Sequence, residues 1–336
     1  MHIAHYILTE NFAGSERYCA DLANQQAEDG HTVSVISKPS AALTHYLSPA
    51  VAFHPITWMQ SVFFSQRFFS QIQADIIHAH LGRAARYLRP VTYPRVATLH
   101  VKYKPKDHDH LDGLICLNAA QLRQVQNYTG DKTQIGNWIT PSPAASPAEI
   151  EQIKRQYGLA PEDFIFGFVG RLNSAKRVDL LIDSFSALPA PAKLLIIGDG
   201  EDALALKSRT PSERILFTGH QAALAPFYQL IDALVLPSAN EAFPLVLGEA
   251  MQYGCQIIAT ATDGARACLG DAADLVPIGD GSALTQSMQA ALTAYRATGH
   301  YRVQHDIEHL DRTRQCRKIT SFYETVISNH NAARAQ

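Results

Sequence analysis

Short apolar runs recur along this chain, each followed by a turn-rich segment and then by a stretch with helical spacing. The runs fall at 3–8, 32–37, 75–80, 96–100 and 111–117, and again at 164–169, 193–197, 215–218, 233–236 and 256–259. Runs this short, bounded by turn residues, are buried strands rather than helices. Helical spacing is found at 16–29 (closed by Gly30), 119–128, 151–157, 178–187, 224–230, 245–253, 283–295 and 312–327. Strand, loop, helix, strand in repeated order predicts parallel α/β sheets. Residues 140–150, T-P-S-P-A-A-S-P-A-E-I, interrupt that order with three prolines and few large apolar groups, which reads as a linker. The expectation is α/β throughout, as two Rossmann-like doubly wound domains. The first is 1–140, a linker follows at 141–160, the second is 161–310, and 311–336 is a C-terminal helix with a tail frayed from 329 onward.

Two stretches depart from the pattern. Residues 58–72, W-M-Q-S-V-F-F-S-Q-R-F-F-S-Q-I, are crowded with aromatics; 58, 62, 69 and 72 share one face of a helix. A core face is the plain reading, a patch lying in a membrane interface the alternative. From 76 to 106 no acidic residue occurs, while Arg83, Arg86, Arg89, Arg95, Lys102, Lys104 and Lys106 supply seven positive charges. Such a face suits anionic lipid, a phosphorylated acceptor, or only water. The chain of 336 residues as a whole carries a net charge of −2, which gives no reason to expect nucleic acid. Cys19, Cys116, Cys255, Cys268 and Cys316 are odd in number and not closely paired, which points to a reducing compartment and no zinc ribbon. The first residues lack the basic and apolar regions of a signal peptide, and no run approaches the roughly 18 apolar residues of a membrane span. A cytoplasmic protein is expected, with peripheral contact with an anionic membrane open to it.

The candidate chemistry gathers at the ends of strands, where parallel sheets bind ligands. In N-F-A-G-S-E-R, Gly14 follows the first strand and lets backbone approach a ligand; a simple tight turn is the alternative. His78, His80 and His100 end two further strands, placed for function or for structure. The alternating K-D-H-D-H at 106–110 has no second cluster to complete a ligand set, so no metal is expected. In G-R-L-N-S-A-K, Arg171 and Lys176 follow a strand end, a pair suited to a diphosphate. Fixed cations there would stabilise a leaving diphosphate as it gathers charge. G-D-G at 198–200 is not a dinucleotide fingerprint, and neither a phosphate-binding G-x-x-x-x-G-K nor a G-x-S-x-G occurs. Residues 238–254, S-A-N-E-A-F-P-L-V-L-G-E-A-M-Q-Y-G, follow a buried strand. Pro244 is expected to open a helix as its first residue, which Gly254 stops. Glu241 then lies on the loop and Glu249 in an apolar helix, where a carboxylate needs partners. Free N–H groups at that helix start suit an anion, and the carboxylates suit sugar hydroxyls.

V-G-R-L-x-x-x-K, followed some seventy residues later by E-x-F-P-L-V-L-x-E-A-M-x-x-G, resembles the family 4 retaining glycosyltransferases of the GT-B fold. N-F-A-G-S-E-R, D-I-I-H-A-H, V-A-T-L-H and G-N-W-I resemble its other landmarks, so the likeness spans most of the chain. The resemblance implies two domains facing across a cleft, the last helix packing back toward the first domain. It implies that Arg171 and Lys176 hold the donor diphosphate and Glu249 the ribose hydroxyls. Glu241 would contact the donor sugar, and the backbone of Phe243, Pro244, Leu245 and Val246 sugar and phosphate. Gly14 would approach the donor phosphates or the acceptor, and His100 matches the histidine near the reacting sugar. Glu241, His100, Arg171 and Lys176 would thus serve catalysis without a metal, a cofactor or a protein nucleophile. The family's A-T-D-x-G-G-x-x-E reads A-T-A-T-D-G-A-R-A at 259–267 here, with Ala261 and Ala267 in place of acids.

The partners implied are a nucleotide-sugar, expected to be a UDP-sugar, and a saccharide or lipid-linked acceptor of cell-envelope polysaccharide or lipopolysaccharide. One rival is a GT-B nucleotide-sugar epimerase, which would convert a UDP-sugar without acceptor. Another is a two-domain sugar-binding protein, which would not need the Arg171–Lys176 pair.

Overall fold

In the computed structural model, described for residues 1–210, 212–270, 275–300 and 302–335, the chain forms two compact units. The first comprises Met1–Trp138 and Leu310–Gln336, the second Ile139–His309. Seven strands build the first unit: β1 (His2–Ile7), β2 (Thr32–Ser37), β3 (Val51–Pro55), β4 (Ile76–His80), β5 (Arg95–Thr98), β6 (Gly113–Cys116) and β7 (Asp131–Gln134). All pair in parallel, in the order 3-2-1-4-5-6-7. The central strands are almost continuously apolar because helices cover both faces of such a sheet. β3 and β7 were not visible as apolar runs; β7, D-K-T-Q, is an edge strand with every second residue exposed.

Six helices follow in the first unit: α1 (Gly14–Glu28), α2 (Trp58–Phe63), α3 (Ser65–Ile72), α4 (Gly82–Tyr87), α5 (Pro105–His108) and α6 (Ala119–Gln124). The aromatic stretch corrects the expectation of one core-facing helix. Thr57 caps α2 through a capping box, the chain breaks at Phe64, and only α3 turns Phe69 fully inward, edge-on to Tyr6. Trp58, Met59, Phe63 and Phe64 stay exposed. Ser61 is the buried residue of this six-residue helix; Met59 lies on the opposite side, and Trp58, three residues before Ser61, sits at the open first turn.

The second unit contains α7 (Pro147–Tyr157), β8 (Phe164–Val169), α8 (Val178–Ser186), β9 (Ala192–Ile197), α9 (Ala203–Ser208), β10 (Ile215–Gly219), α10 (Ala225–Leu230), β11 (Ala233–Leu236), α11 (Leu245–Gln252), β12 (Gln256–Ala259), α12 (Asp263–Leu269) and α13 (Gly281–Thr298). Its five parallel strands run 10-9-8-11-12. Part of the proline-rich segment is therefore helical: Ser146 and Glu149 form a capping box and Pro147 takes the first helical position.

The last helix, α14 (Arg312–Ala335), belongs to the first unit and packs on α1. It does not fray from 329, as the sequence suggested. Asn329 donates to Asp131, His330 bonds Asp112 and the Thr92 carbonyl, and Arg334 donates to the Thr92 carbonyl. Those partners lie more than 190 residues upstream, so local sequence gave no sign of them. Gln336 lies outside the described residues.

Candidate active site

In the second unit the strand order reverses between β8 and β11, and loops leaving two such neighbours diverge and open a crevice. The loop after β8 carries Arg171 and Lys176. Leu172 is fully buried and anchors it; its N–H donates to the Asp199 carbonyl at 2.9 Å and its carbonyl accepts from Asp202 N–H at 3.0 Å. Backbone lies directly on backbone here. A Cβ on Gly198 would sit 1.9 Å from the Gly170 oxygen, and one on Gly200 would sit 2.3 Å from the Leu172 oxygen. G-D-G is thus a close-approach device that supports the Arg171 loop, a role its failure as a dinucleotide fingerprint left unexplained. Arg171 itself is exposed and has no partner among the described residues.

The loop after β11 is tied to this one. Ala239 N–H donates to the Ala175 carbonyl at 2.9 Å. Ser238 is fully buried; its carbonyl accepts from the Thr260 hydroxyl at 2.6 Å, and its own hydroxyl donates to Glu241 Oε1 at 2.7 Å. The same Glu241 oxygen accepts from Lys176 Nζ at 2.5 Å. Lys176 and Glu241 therefore form one unit, where the sequence had suggested a cation for phosphate and a carboxylate apart from it. Gly264, in α12, donates its N–H to the Glu241 carbonyl at 3.1 Å, and a Cβ there would lie 2.5 Å from that oxygen. Ala261 and Ala267, both half-buried, flank this support, and Asp263 of the same helix is exposed.

Pro244 is the N-cap of α11 rather than its first residue, with φ −77° and ψ 105°. An extended ψ holds it outside the helix, so Leu245 and Val246 lead with N–H groups free for an anion at the positive end of the helix dipole. Leu247 N–H already bonds the Pro244 carbonyl at 3.2 Å. Phe243, Leu245 and Val246 are half-buried around that end. One turn further in, Glu249 is half-buried and accepts from the Tyr228 hydroxyl at 2.7 Å. Tyr228 is buried and stacks on Tyr253 with ring centroids 5.8 Å apart. This partner answers the need for one that an apolar helix created, and sequence reasoning missed it because Tyr228 sits 21 residues away on α10.

Gly14 and His100 lie in the first unit. Gly14 is the first residue of α1, where Glu16 Oε2 accepts from Ala13 N–H and the Ser15 hydroxyl, each at 3.0 Å. A Cβ at Gly14 would meet nothing within 4 Å, so the chain's own packing does not demand glycine there. His100 follows β5 and is half-buried, with Tyr18 edge-on at 4.7 Å.

Behind His100 lies a cluster that the sequence showed only in part. His5, His78 and His80 are fully buried on one face of β1 and β4. Their ligand atoms fall within 4.8 Å of one another, close enough for a metal. Yet every ring nitrogen is engaged. His5 bonds Gln26 at 2.8 Å and His80 at 3.1 Å; His78 bonds Thr98 at 2.8 Å and Tyr323 at 2.5 Å; His80 also bonds His100 at 3.2 Å. Burial drives the His5 pKa down to about 4. Burial, then the neighbouring imidazoles, puts His78 and His80 well below the usual histidine range. The three rings are therefore neutral at pH 7.

Two family models match the chain: Glycosyltransferase Family 4 over residues 12–164 and Glycosyl transferases group 1 over residues 163–294. The N-acetyl-alpha-D-glucosaminyl L-malate synthase of Bacillus anthracis is 29% identical over 310 residues, covering 80% of this chain and 81% of its own. Among solved structures, a Rickettsia africae glycosyltransferase superposes with a TM-score of 0.81 at 16% identity, covering 98% of this chain and 99% of its own. Anabaena HepE, solved with UDP-glucose, superposes with a TM-score of 0.74 at 18% identity, covering 100% of this chain and 99% of its own. Both confirm the GT-B fold of two Rossmann-like domains expected from the sequence. With adjoining models spanning residues 12–294, the chain belongs to the family 4, group 1 glycosyltransferases.

Proposed function

We propose that this glycosyltransferase moves a sugar from a nucleotide-sugar, with UDP as the nucleotide, to a saccharide or lipid-linked acceptor of the cell envelope, with retention and without a metal. The observation that carries the donor half is the Lys176–Glu241–Ser238 unit, formed where the strand order reverses between β8 and β11. The free start of α11 follows on the same loop, with Glu249 one turn deeper, and Arg171 has no side-chain partner among the described residues. Arg171, Lys176 and the N–H groups of Leu245 and Val246 would meet the diphosphate, and Phe243 and Pro244 would line the sugar side. Glu249 would bind ribose hydroxyls, its bond to Tyr228 holding it in place. Glu241 would contact the sugar. Charge that gathers on the departing diphosphate then meets fixed cations and dipoles, which supplies what a metal would otherwise supply. The diphosphate oxygen, rather than a side chain, would take the acceptor proton. In the first unit, Gly14 and His100 are the residues that the family resemblance assigns to substrate contact. That HepE was solved with UDP-glucose supports the choice of base.

The acceptor half rests on the first unit. Between 30 and 106 the one acidic residue is Asp75, against nine Lys and Arg. The exposed Trp58, Met59 and Phe63 of α2 fall within that segment. Together they suit an anionic acceptor at a membrane surface. Among the described residues no helix is long and apolar enough to cross one.

Calorimetry with UDP tests the donor site. Arg171→Ala or Glu249→Ala should each cost about 2 kcal/mol, roughly thirtyfold in affinity, as a charged hydrogen bond is lost. Glu241→Ala should lower turnover more than UDP binding. Unchanged UDP affinity in both Arg171→Ala and Glu249→Ala would overturn the assignment.

A further inference from the structure

The buried histidines form a directed chain whose polarity can be read from one end. Thr320, on α14, donates its hydroxyl to the Cys316 carbonyl one turn back, at 3.2 Å. With its proton committed, Thr320 Oγ1 can only accept from Gln26 Nε2, at 3.3 Å. The amide of Gln26 is thereby oriented, and its Oε1 faces His5 Nε2 at 2.8 Å. A carbonyl oxygen only accepts, so His5 carries its proton on Nε2. A neutral ring has one donor and one acceptor, so His5 Nδ1 accepts, and its partner His80 Nε2 donates, at 3.1 Å. The same rule makes His80 Nδ1 an acceptor and His100 Nε2 the donor to it, at 3.2 Å. His100 is left with a bare lone pair on Nδ1, which has no partner among the described residues.

We infer that Thr320, Gln26, His5 and His80 act as positioning residues that hold His100 as its Nε2–H tautomer, so that His100 Nδ1 is a fixed hydrogen-bond acceptor for a hydroxyl of a ligand bound at the carboxyl ends of β4 and β5. That this ligand is a sugar rests on the proposed function; the tautomer chain does not. A ring free to change tautomer would meet a hydroxyl or a carbonyl equally. A ring whose deep nitrogen must donate accepts only from O–H or N–H groups, which selects for hydroxyls over phosphate oxygens. The chain also accounts for three buried polar side chains, Gln26, His5 and His80: each is satisfied, and neither imidazole is left to bind a metal.

Nitrogen NMR of 15N-histidine-labelled protein, which separates protonated from bare ring nitrogens, tests this on the whole chain. His5, His80 and His100 should each show a protonated Nε2 and a bare Nδ1 at neutral pH. Thr320→Val frees the Gln26 amide to turn, and His100 should become a mixture of tautomers. Thr320→Ser, which keeps the hydroxyl, should restore the wild-type pattern. Addition of UDP should leave the tautomers unchanged. A protonated Nδ1 on wild-type His100, wild-type tautomers in Thr320→Val, or stoichiometric Zn2+ uptake that strips the Nε2 protons would each overturn the inference. Those signals are independent of donor binding, so a failure of the UDP calorimetry leaves the tautomer result standing, and the reverse.

Discussion

Gly198 offers a test of how the Arg171 loop is supported. Its φ is +138°, outside the region L side chains adopt readily, and an added Cβ would lie 1.9 Å from the Gly170 oxygen and 2.9 Å from the Gly170 carbonyl carbon. Ordinary contact begins near 3.4 Å, so Gly198→Ala must drive the two loops about 1.5 Å apart (3.4 less 1.9). The bond from Gly170 N–H to the Ile197 carbonyl, 3.0 Å long, and that from Gly198 N–H to the Gly219 carbonyl, 2.9 Å, cannot both survive such a shift. A positive φ costs about 1–2 kcal/mol and a lost backbone hydrogen bond about 1 kcal/mol, so about 3 kcal/mol of stability should be lost from the second unit. Arg171 lies one residue beyond Gly170, and a misplacement of about 1 Å can cost about a hundredfold in activity. Gly219→Ala is the matched control: φ is +71°, yet a Cβ there would meet nothing within 4 Å, so only the backbone penalty of about 1 kcal/mol applies. Urea unfolding and UDP calorimetry on both variants give the comparison. Equal loss of stability in the two, or wild-type UDP affinity in Gly198→Ala, would refute the close-approach argument.

Two further outcomes are expected. Because the His5 pKa falls to about 4 in the folded protein, the unfolded chain binds more protons between about pH 6.5 and 4; stability is complete above 6.5 and declines as pH falls through that window. His5 alone should contribute roughly 3 kcal/mol of that decline, with His78 and His80 acting in the same direction. A urea midpoint for the first unit that stays level from pH 6.5 to 4.5 would contradict it. At the surface, Trp58→Ser combined with Phe63→Ser should abolish co-sedimentation with phosphatidylglycerol vesicles, since two inserted aromatics contribute about 1.5–3 kcal/mol each when fully buried. Equal binding of the wild type to neutral and anionic vesicles, or no effect of the double change, would count against membrane docking.

The central strands were legible because parallel sheets covered on both faces demand continuous apolar runs. Edge strands carry no such demand: D-K-T-Q pairs with β6 through its backbone alone and looks like a loop in the sequence. The neighbourhood of the candidate site was legible for a related reason. Arg171, Lys176, Glu241 and Glu249 sit at fixed offsets from apolar strands, so their neighbourhood follows from the strand order. What stayed hidden were side-chain pairs that strand order does not determine. Lys176 meets Glu241 across 65 residues and His78 meets Tyr323 across 245. The aromatic stretch misled because apolar spacing alone does not say whether an apolar face is covered. The break at Phe64 separates α2, which leaves Trp58, Met59 and Phe63 exposed, from α3, which buries Phe69.

The first unit is completed by a helix that is synthesised only after the second unit. After Trp138 leaves the ribosome, about 10–40 s of synthesis at roughly 5–20 residues per second separates it from Ala335. Throughout that interval the second unit emerges whole, while the first lacks the helix that covers His78 and orients Gln26. Its uncovered sheet face, with Tyr18 and Cys19 of α1 beside it, is what a nascent-chain chaperone would meet. Vectorial synthesis therefore favours the second unit maturing first, with His100 ordered only once α14 has docked.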